Sequence, residues 1–197
     1  MAHTEAQLMQ VPPEGETRQP IGDDNPLAVV VTNLVMPPTQ NPSTYTTEWI
    51  VVPGIVSGAA YTSGDQMGAP FWVPMGCTGG VIQALLVIDL DKEQLAFDVL
   101  TFQPSPGITT ITAVADNAAA DFADADHVLF RGHIPVTISD YAALNDTAVA
   151  TVRNVGLPFT CPNGRILVNL VSRGAPNYTD KFDLSLAFVV LPDARTA

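Results

Sequence analysis

Seventeen prolines and fourteen glycines punctuate this 197-residue chain. They divide much of it into apolar runs of strand length. Long helices are disfavoured, because a proline inside a helix removes a donor and clashes with the preceding turn. Leu27–Val35 is apolar and β-branched and stops at Pro37-Pro38. Thr44–Val52 is rich in Thr, Tyr, Trp and Val and stops at Pro53-Gly54. A long loop region is expected between Gly64 and Gly80, followed by a continuous apolar strand over Val81–Leu90. Leu95–Phe102 comes next, with Leu95, Phe97 and Val99 on one face and Asp98 on the other. The link Asp91-Lys92-Glu93-Gln94 reads as a hairpin turn. Val128–Ile138, crossed by Gly132 and Pro135, reads as an edge or bulged strand.

Thr147–Val155 alternates moderately, and the turn signal Pro162-Asn163-Gly164 starts a strand over Arg165–Val171. Over Phe182–Val190 the period of two places Phe182, Leu184, Leu186, Phe188 and Val190 toward a core and Asp183 and Ser185 away from it. Helical signals are few. Ile108–Thr112 is strand-like, Asp116–Asp126 is expected to make one or two helical turns capped by Asp116 or Asn117, and Tyr141–Leu144 another behind Ser139 or Asp140. The expected fold is all-β: an antiparallel β-sandwich, jelly-roll-like, over residues 27–197.

Residues 1–26 stand apart as an N-terminal arm. They carry Pro12, Pro13, Pro20 and Pro26, four acids (Glu14, Glu16, Asp23, Asp24) and few apolar side chains. Such a segment buries too little to offset its ordering entropy, so it is either disordered or an extended arm ordered on a partner. In the extended case Leu8, Met9, Val11 and Ile21 are the anchors that would be buried, and the acids stay wet.

Charged residues are 14% of the chain, against about 25% in ordinary domains. Uncharged groups must therefore cover much of the surface, which points to burial against partners, including further copies of the chain. The 20 acids and 8 bases give a formal net charge of −12. The bases Arg18, Lys92, Arg131, Arg153, Arg165, Arg173, Lys181 and Arg195 are scattered, so neither nucleic acid nor an anionic membrane is an expected partner. Met1–Gln7 has no basic and apolar signal-peptide pattern, and no apolar run approaches the roughly 20 residues of a membrane span. Cys77 and Cys161 lie outside any Cys-x-x-Cys pattern and read as partly buried thiols of a reducing compartment, with a disulfide possible but not required.

Catalysis is not expected. The histidines are His3, His127 and His133, and no Gly-x-Ser-x-Gly elbow supplies a serine. The densest set of potential metal ligands is Asp121, Asp124, Asp126 and His127, which lacks the EF-hand pattern; Asp121 and Asp124 read as caps of a short helical turn. Asp89-x-Asp91 reads as a solvated turn at a strand end. Trp49, Tyr61 and Trp72 are candidates for core or interface anchors, or for a sugar-stacking platform. No glycine-rich phosphate loop precedes a helix, and no cofactor is expected.

Several segments, taken in order, carry a resemblance. They are Ala60-Tyr61-Thr62-Ser63-Gly64-Asp65-Gln66-Met67-Gly68, Gly79-Gly80-Val81-Ile82-Gln83 leading into Val87-Ile88-Asp89, Phe97–Phe102, Ala123-Asp124-Ala125-Asp126, Ser139-Asp140-Tyr141, Leu170–Tyr178 and Asp183-Leu184-Ser185-Leu186. Over about residues 59–191 the chain resembles a family of small tailed-bacteriophage virion proteins that includes head decoration (cement) proteins. The resemblance implies a β-sandwich that assembles on a shell without catalysis. Its partners would be the major capsid protein and other copies of the chain, with a homotrimer favoured and a dimer second. Its place would be the outer surface of the capsid, assembled in the bacterial host cytoplasm. Tail or baseplate adaptors and carbohydrate- or receptor-binding modules are the alternatives.

Overall fold

Ten strands and two short 3₁₀ turns make up the fold in this computed structural model, which describes residues 43–55, 58–103, 111–112 and 114–193. The strands are β1 (Tyr45–Thr46), β2 (Ile50–Val51), β3 (Phe71–Pro74), β4 (Gly79–Asp89), β5 (Phe97–Phe102), β6 (Phe130–Val136), β7 (Tyr141–Ala143), β8 (Ala148–Thr160), β9 (Arg165–Ser172) and β10 (Leu184–Pro192). The 3₁₀ turns are Asp124–Leu129 and Ile138–Asp140. The expected arm at 1–26, its anchors Leu8, Met9, Val11 and Ile21, and the expected strand Leu27–Val35 lie outside the described residues. Among the described residues no helix is long and apolar enough to cross a membrane.

The chain forms the expected antiparallel β-sandwich. One sheet has the order β1-β10-β4-β8-β7, with β2 also on β10; the other has the order β3-β9-β5-β6. The partners are ordered as in a folded ribbon: β1 and β2 pair with β10, β3 with β9, β4 with β8, and β5 with β6. Successive rungs of that ribbon fall in alternate sheets, so the ribbon winds around a common core. Its inward side chains come from both sheets: Ile82, Leu85, Val87, Leu184, Leu186, Phe188 and Val190 from one, Val73, Phe97, Val99, Ile134, Ile166, Val168 and Leu170 from the other. Each is at most 2% exposed, so each contributes roughly 1.5–3 kcal/mol of apolar burial.

Several local expectations are corrected. The link 91–94 is not a hairpin, because β4 and β5 belong to different sheets. Asp89 closes it instead: its carboxylate accepts the Gln94 N–H at 2.7 Å, and Lys92 and Gln94 take positive φ. The expected loop 64–80 contains β3, which is four residues long and boxed in by Pro70 and Pro74, too short to announce itself. Thr44–Val52 is split into β1 and β2. Tyr141–Leu144 is not helical, because Tyr141, Ala142 and Ala143 find ladder partners in Ala150, Val149 and Ala148.

The helical turn expected at 116–126 begins only at Asp124, behind Ala123, with no side-chain cap from Asp121 or Asp124. Asp116 is committed to accepting the Gly68 N–H, and Asn117 sits at φ 56, which ends rather than starts a helix. β10 starts at Leu184, so the alternation does not reach back to Phe182, which is 53% exposed, nor to Asp183, which is buried. Asp98 does face away from the core, yet it too is buried, under Arg173. The proline-bearing strand β6 is an edge, as its Pro135 required.

Candidate functional site

The face of the four-stranded sheet turned away from the main core carries a second apolar cluster. Alternation along the strands places Trp72 of β3, Leu167 of β9 and Leu100 and Phe102 of β5 on that face. The connection between β5 and β6 adds Ile111, Phe122 and Leu129. The Phe102 ring is the hub, with Phe122 at 5.5 Å and Phe130 at 5.7 Å between centroids. These distances suit tilted and edge-on aromatic contacts. Around them is a groove of about 280 Å³ lined by Leu100, Phe102, Phe122, Asp126, His127 and Phe130.

Apolar side chains stand exposed at and beside this groove, next to the exposed His127. Val128 is 65% and Phe130 40% exposed. The neighbouring Arg131 is turned onto the backbone: it donates to the carbonyls of Val128 and Phe130 at 3.0 and 2.9 Å and to Gln103 Oε1 at 2.9 Å. Asp126 is likewise committed, accepting the Thr112 N–H at 3.0 Å. Of the acids at 121–126, Asp126 thus fixes a loop. Among the described residues no three His, Cys, Asp or Glu side chains are placed to hold a metal ion together.

The three aromatic candidates part company. Tyr61 is fully buried, with its hydroxyl 2.6 Å from Asp116 Oδ1 and 2.9 Å from the Ile55 carbonyl; it is a core residue and presents nothing at a surface. Trp72 is half-buried on the edge strand β3, and the Arg165 guanidinium lies 4.6 Å from its ring centroid. One face of the indole is thus occupied by a cation. Trp49 is 46% exposed, between β1 and β2.

The polar residues of the segments that carry the resemblance fix loops. Asp65 accepts the Thr62 N–H and hydroxyl, Asp140 accepts the Thr137 N–H and hydroxyl, and Asp183 accepts the N–H groups of Thr179 and Asp180. Gln66 and Asn169 hydrogen-bond each other and are wholly buried. Asp98 and Arg173 form an ion pair.

Asp89 is fully buried rather than solvated, and Asp91 reaches across to Thr179. Burial pushes the Asp89 carboxyl up, opposed by the N–H groups of Gln94, Glu93 and Lys92. Burial also raises Asp183, with the neighbouring carboxyl of Asp91 adding to the rise. Tyr178 and Tyr141 rise through burial first and the charge of Asp89 second.

Sequence reasoning did not single out Phe122, Val128 and Phe130. The available signal was three large apolar residues set among acids, in a stretch with neither proline nor glycine. No protein-family profile, curated protein or solved structure matches this chain.

Proposed function

We propose that this protein is a structural part of a tailed-bacteriophage virion: a head decoration (cement) protein on the outer surface of the capsid. In this reading it binds the major capsid protein, stabilises contacts between its subunits and carries out no reaction. The observation that supports it most is the pair of large apolar side chains, Val128 and Phe130, left exposed beside the apolar cluster of the four-stranded sheet. An exposed apolar patch on a chain with 14% charged residues is suited to burial against a partner. The ribbon order of the strands suits the jelly-roll-like arrangement expected with that role.

The assembly would be a homotrimer at three-fold positions of the shell, with a dimer second. Assembly takes place in the bacterial host cytoplasm, with neither nucleic acid nor membrane as a partner. Cryo-electron microscopy of purified particles tests the reading. Copies in the hundreds on the head are expected, and a handful at the tail would instead make it an adaptor. Glycan binding lost in Trp49→Ala or Trp72→Ala would favour a carbohydrate-binding module; the Arg165 stack on Trp72 disfavours that role for Trp72.

A further inference from the structure

The two cysteines are distant in sequence and adjacent in the fold. Cys77 lies in the loop between β3 and β4, and Cys161 in the turn between β8 and β9. The β4–β8 ladder ends at Gly79 opposite Thr160, and one more bond, from Cys161 N–H to the Thr78 carbonyl at 2.8 Å, extends it. The Cys161 thiol then donates to the Cys77 carbonyl at 3.0 Å. Cys161 thus touches the carbonyls of two successive residues, and its sulfur lies against the backbone of Cys77. Where the ladder is extended Thr78 is opposed to Cys161, and Cys77 is one residue along from it.

The surroundings differ at the two sulfurs. Cys161 is buried and Cys77 partly exposed. Burial, and then the neighbouring Cys77, push the Cys161 thiol up to about 11. A third group belongs to the cluster. Tyr45 of β1 donates its hydroxyl proton to the Met75 carbonyl, and burial first and the neighbouring Cys77 second push that hydroxyl up. Gly76 makes room for it: an added Cβ would stand 3.1 Å from the Tyr45 hydroxyl oxygen.

We propose that Cys77 and Cys161 are a reactive dithiol that closes into an intramolecular disulfide by exchange with a low-molecular-weight disulfide, RS–SR. The partly exposed Cys77, as its thiolate, attacks one sulfur of RS–SR and expels RS⁻. The Cys161 thiolate then attacks the Cys77 sulfur of the mixed disulfide, forming the Cys77–Cys161 bond and expelling the second RS⁻. The protein dithiol is oxidised, RS–SR is reduced to two thiols, and the two cysteine protons end on them. The order follows from access, since an outside disulfide meets Cys77 first. The bond staples the β3–β4 loop to the β8–β9 turn across 84 residues of sequence. A closure that long removes much of the freedom of the unfolded chain.

The test uses the full reduced chain, incubated with oxidised glutathione at mildly alkaline pH, acid-quenched and weighed intact. The wild-type chain is expected to lose both titratable thiols, carry no glutathione, remain a single chain on a denaturing non-reducing gel, and melt roughly 10 °C higher. Cys161→Ser is expected to stop at one glutathione on Cys77, and Cys77→Ser to leave Cys161 unmodified. Cys161→Ala, which buries no hydroxyl, is the parallel variant where serine is poorly tolerated. A lasting glutathione adduct on the wild-type chain, a covalent dimer, or two thiols still titrating after the oxidant overturns the proposal.

Discussion

Gly68 is held at φ +69 with the Pro53 carbonyl oxygen 2.5 Å from where a Cβ would stand. Its N–H donates to Asp116 and its carbonyl accepts from Gln66, so the backbone is tied on both sides. An alanine there must adopt a left-handed conformation and displace backbone. Gly68→Ala is therefore expected to cost about 3 kcal/mol, read as a lowered urea midpoint with unchanged slope. Val128 is the opposite case. At 65% exposed it can be changed with little effect on the fold, within about 0.5 kcal/mol. Val128→Asp should nevertheless weaken attachment to particles at least tenfold in a co-sedimentation assay, because docking would bury the new charge. Attachment as tight as wild type would place the docking surface elsewhere on the molecule.

At the scale of elements, the acids that fix loops make stability depend on pH. Asp89 holds the crossover from β4 to β5, and Asp183 holds the loop that leads into β10. Both folded carboxyls are raised above their ordinary value of 3.8. A raised folded value means that the folded chain keeps its protons when the unfolded chain has lost them. The contribution is then fully present below the unfolded value and is lost as pH rises through the folded value. Acidifying from neutral pH toward the ordinary value of 3.8 is expected to raise the urea midpoint as the folded carboxyls take up protons first, and Asp89→Asn, which cannot ionise, to flatten that slope. A wild-type midpoint that falls on acidification would refute this.

The same elements show what could be read in advance. β4, β9 and β10 were legible, because each is a long apolar or alternating run whose pattern survives in the sheets. The 91–94 link was read as a hairpin because local composition is the same whether a turn joins two partners or changes sheets. β7 was misread because its three residues are strand only through the edge that β8 offers.

At the scale of the molecule, a net charge of −12 would set subunits and shell against one another in the proposed assembly. Salt screens that repulsion within about 10 Å at 0.1 M. An apolar contact should therefore tighten as salt rises from 0.05 to about 0.5 M; loss of the protein from particles under salt would make the contact ionic and turn attention to Arg18, Arg131 and Arg173. The arm can be tested separately. Deleting residues 2–24 is expected to leave the melting temperature within about 2 °C and to abolish particle binding, since an extended segment of that length reaches several tens of ångströms. Unchanged binding to stripped particles would leave attachment to the sandwich alone. Light scattering that gives a monomer at tens of micromolar would count against a preformed trimer.

The amino-acid sequence alone determined the class. Proline and glycine spacing with period-two runs leaves only short extended elements, and short antiparallel strands bury their apolar faces by packing as two sheets. Low charge and scattered bases likewise follow from composition. Tertiary structure alone decided which strands pair, because ladder partners such as β3 with β9 and β5 with β6 are chosen by contacts remote along the chain. It decided that Tyr61 is core and Val128 surface, although both are apolar-bodied residues in polar stretches. It also set Cys161 against the backbone of Cys77. Sequence fixes local periodicity through sterics and side-chain alternation, whereas which distant groups meet depends on how the whole ribbon winds.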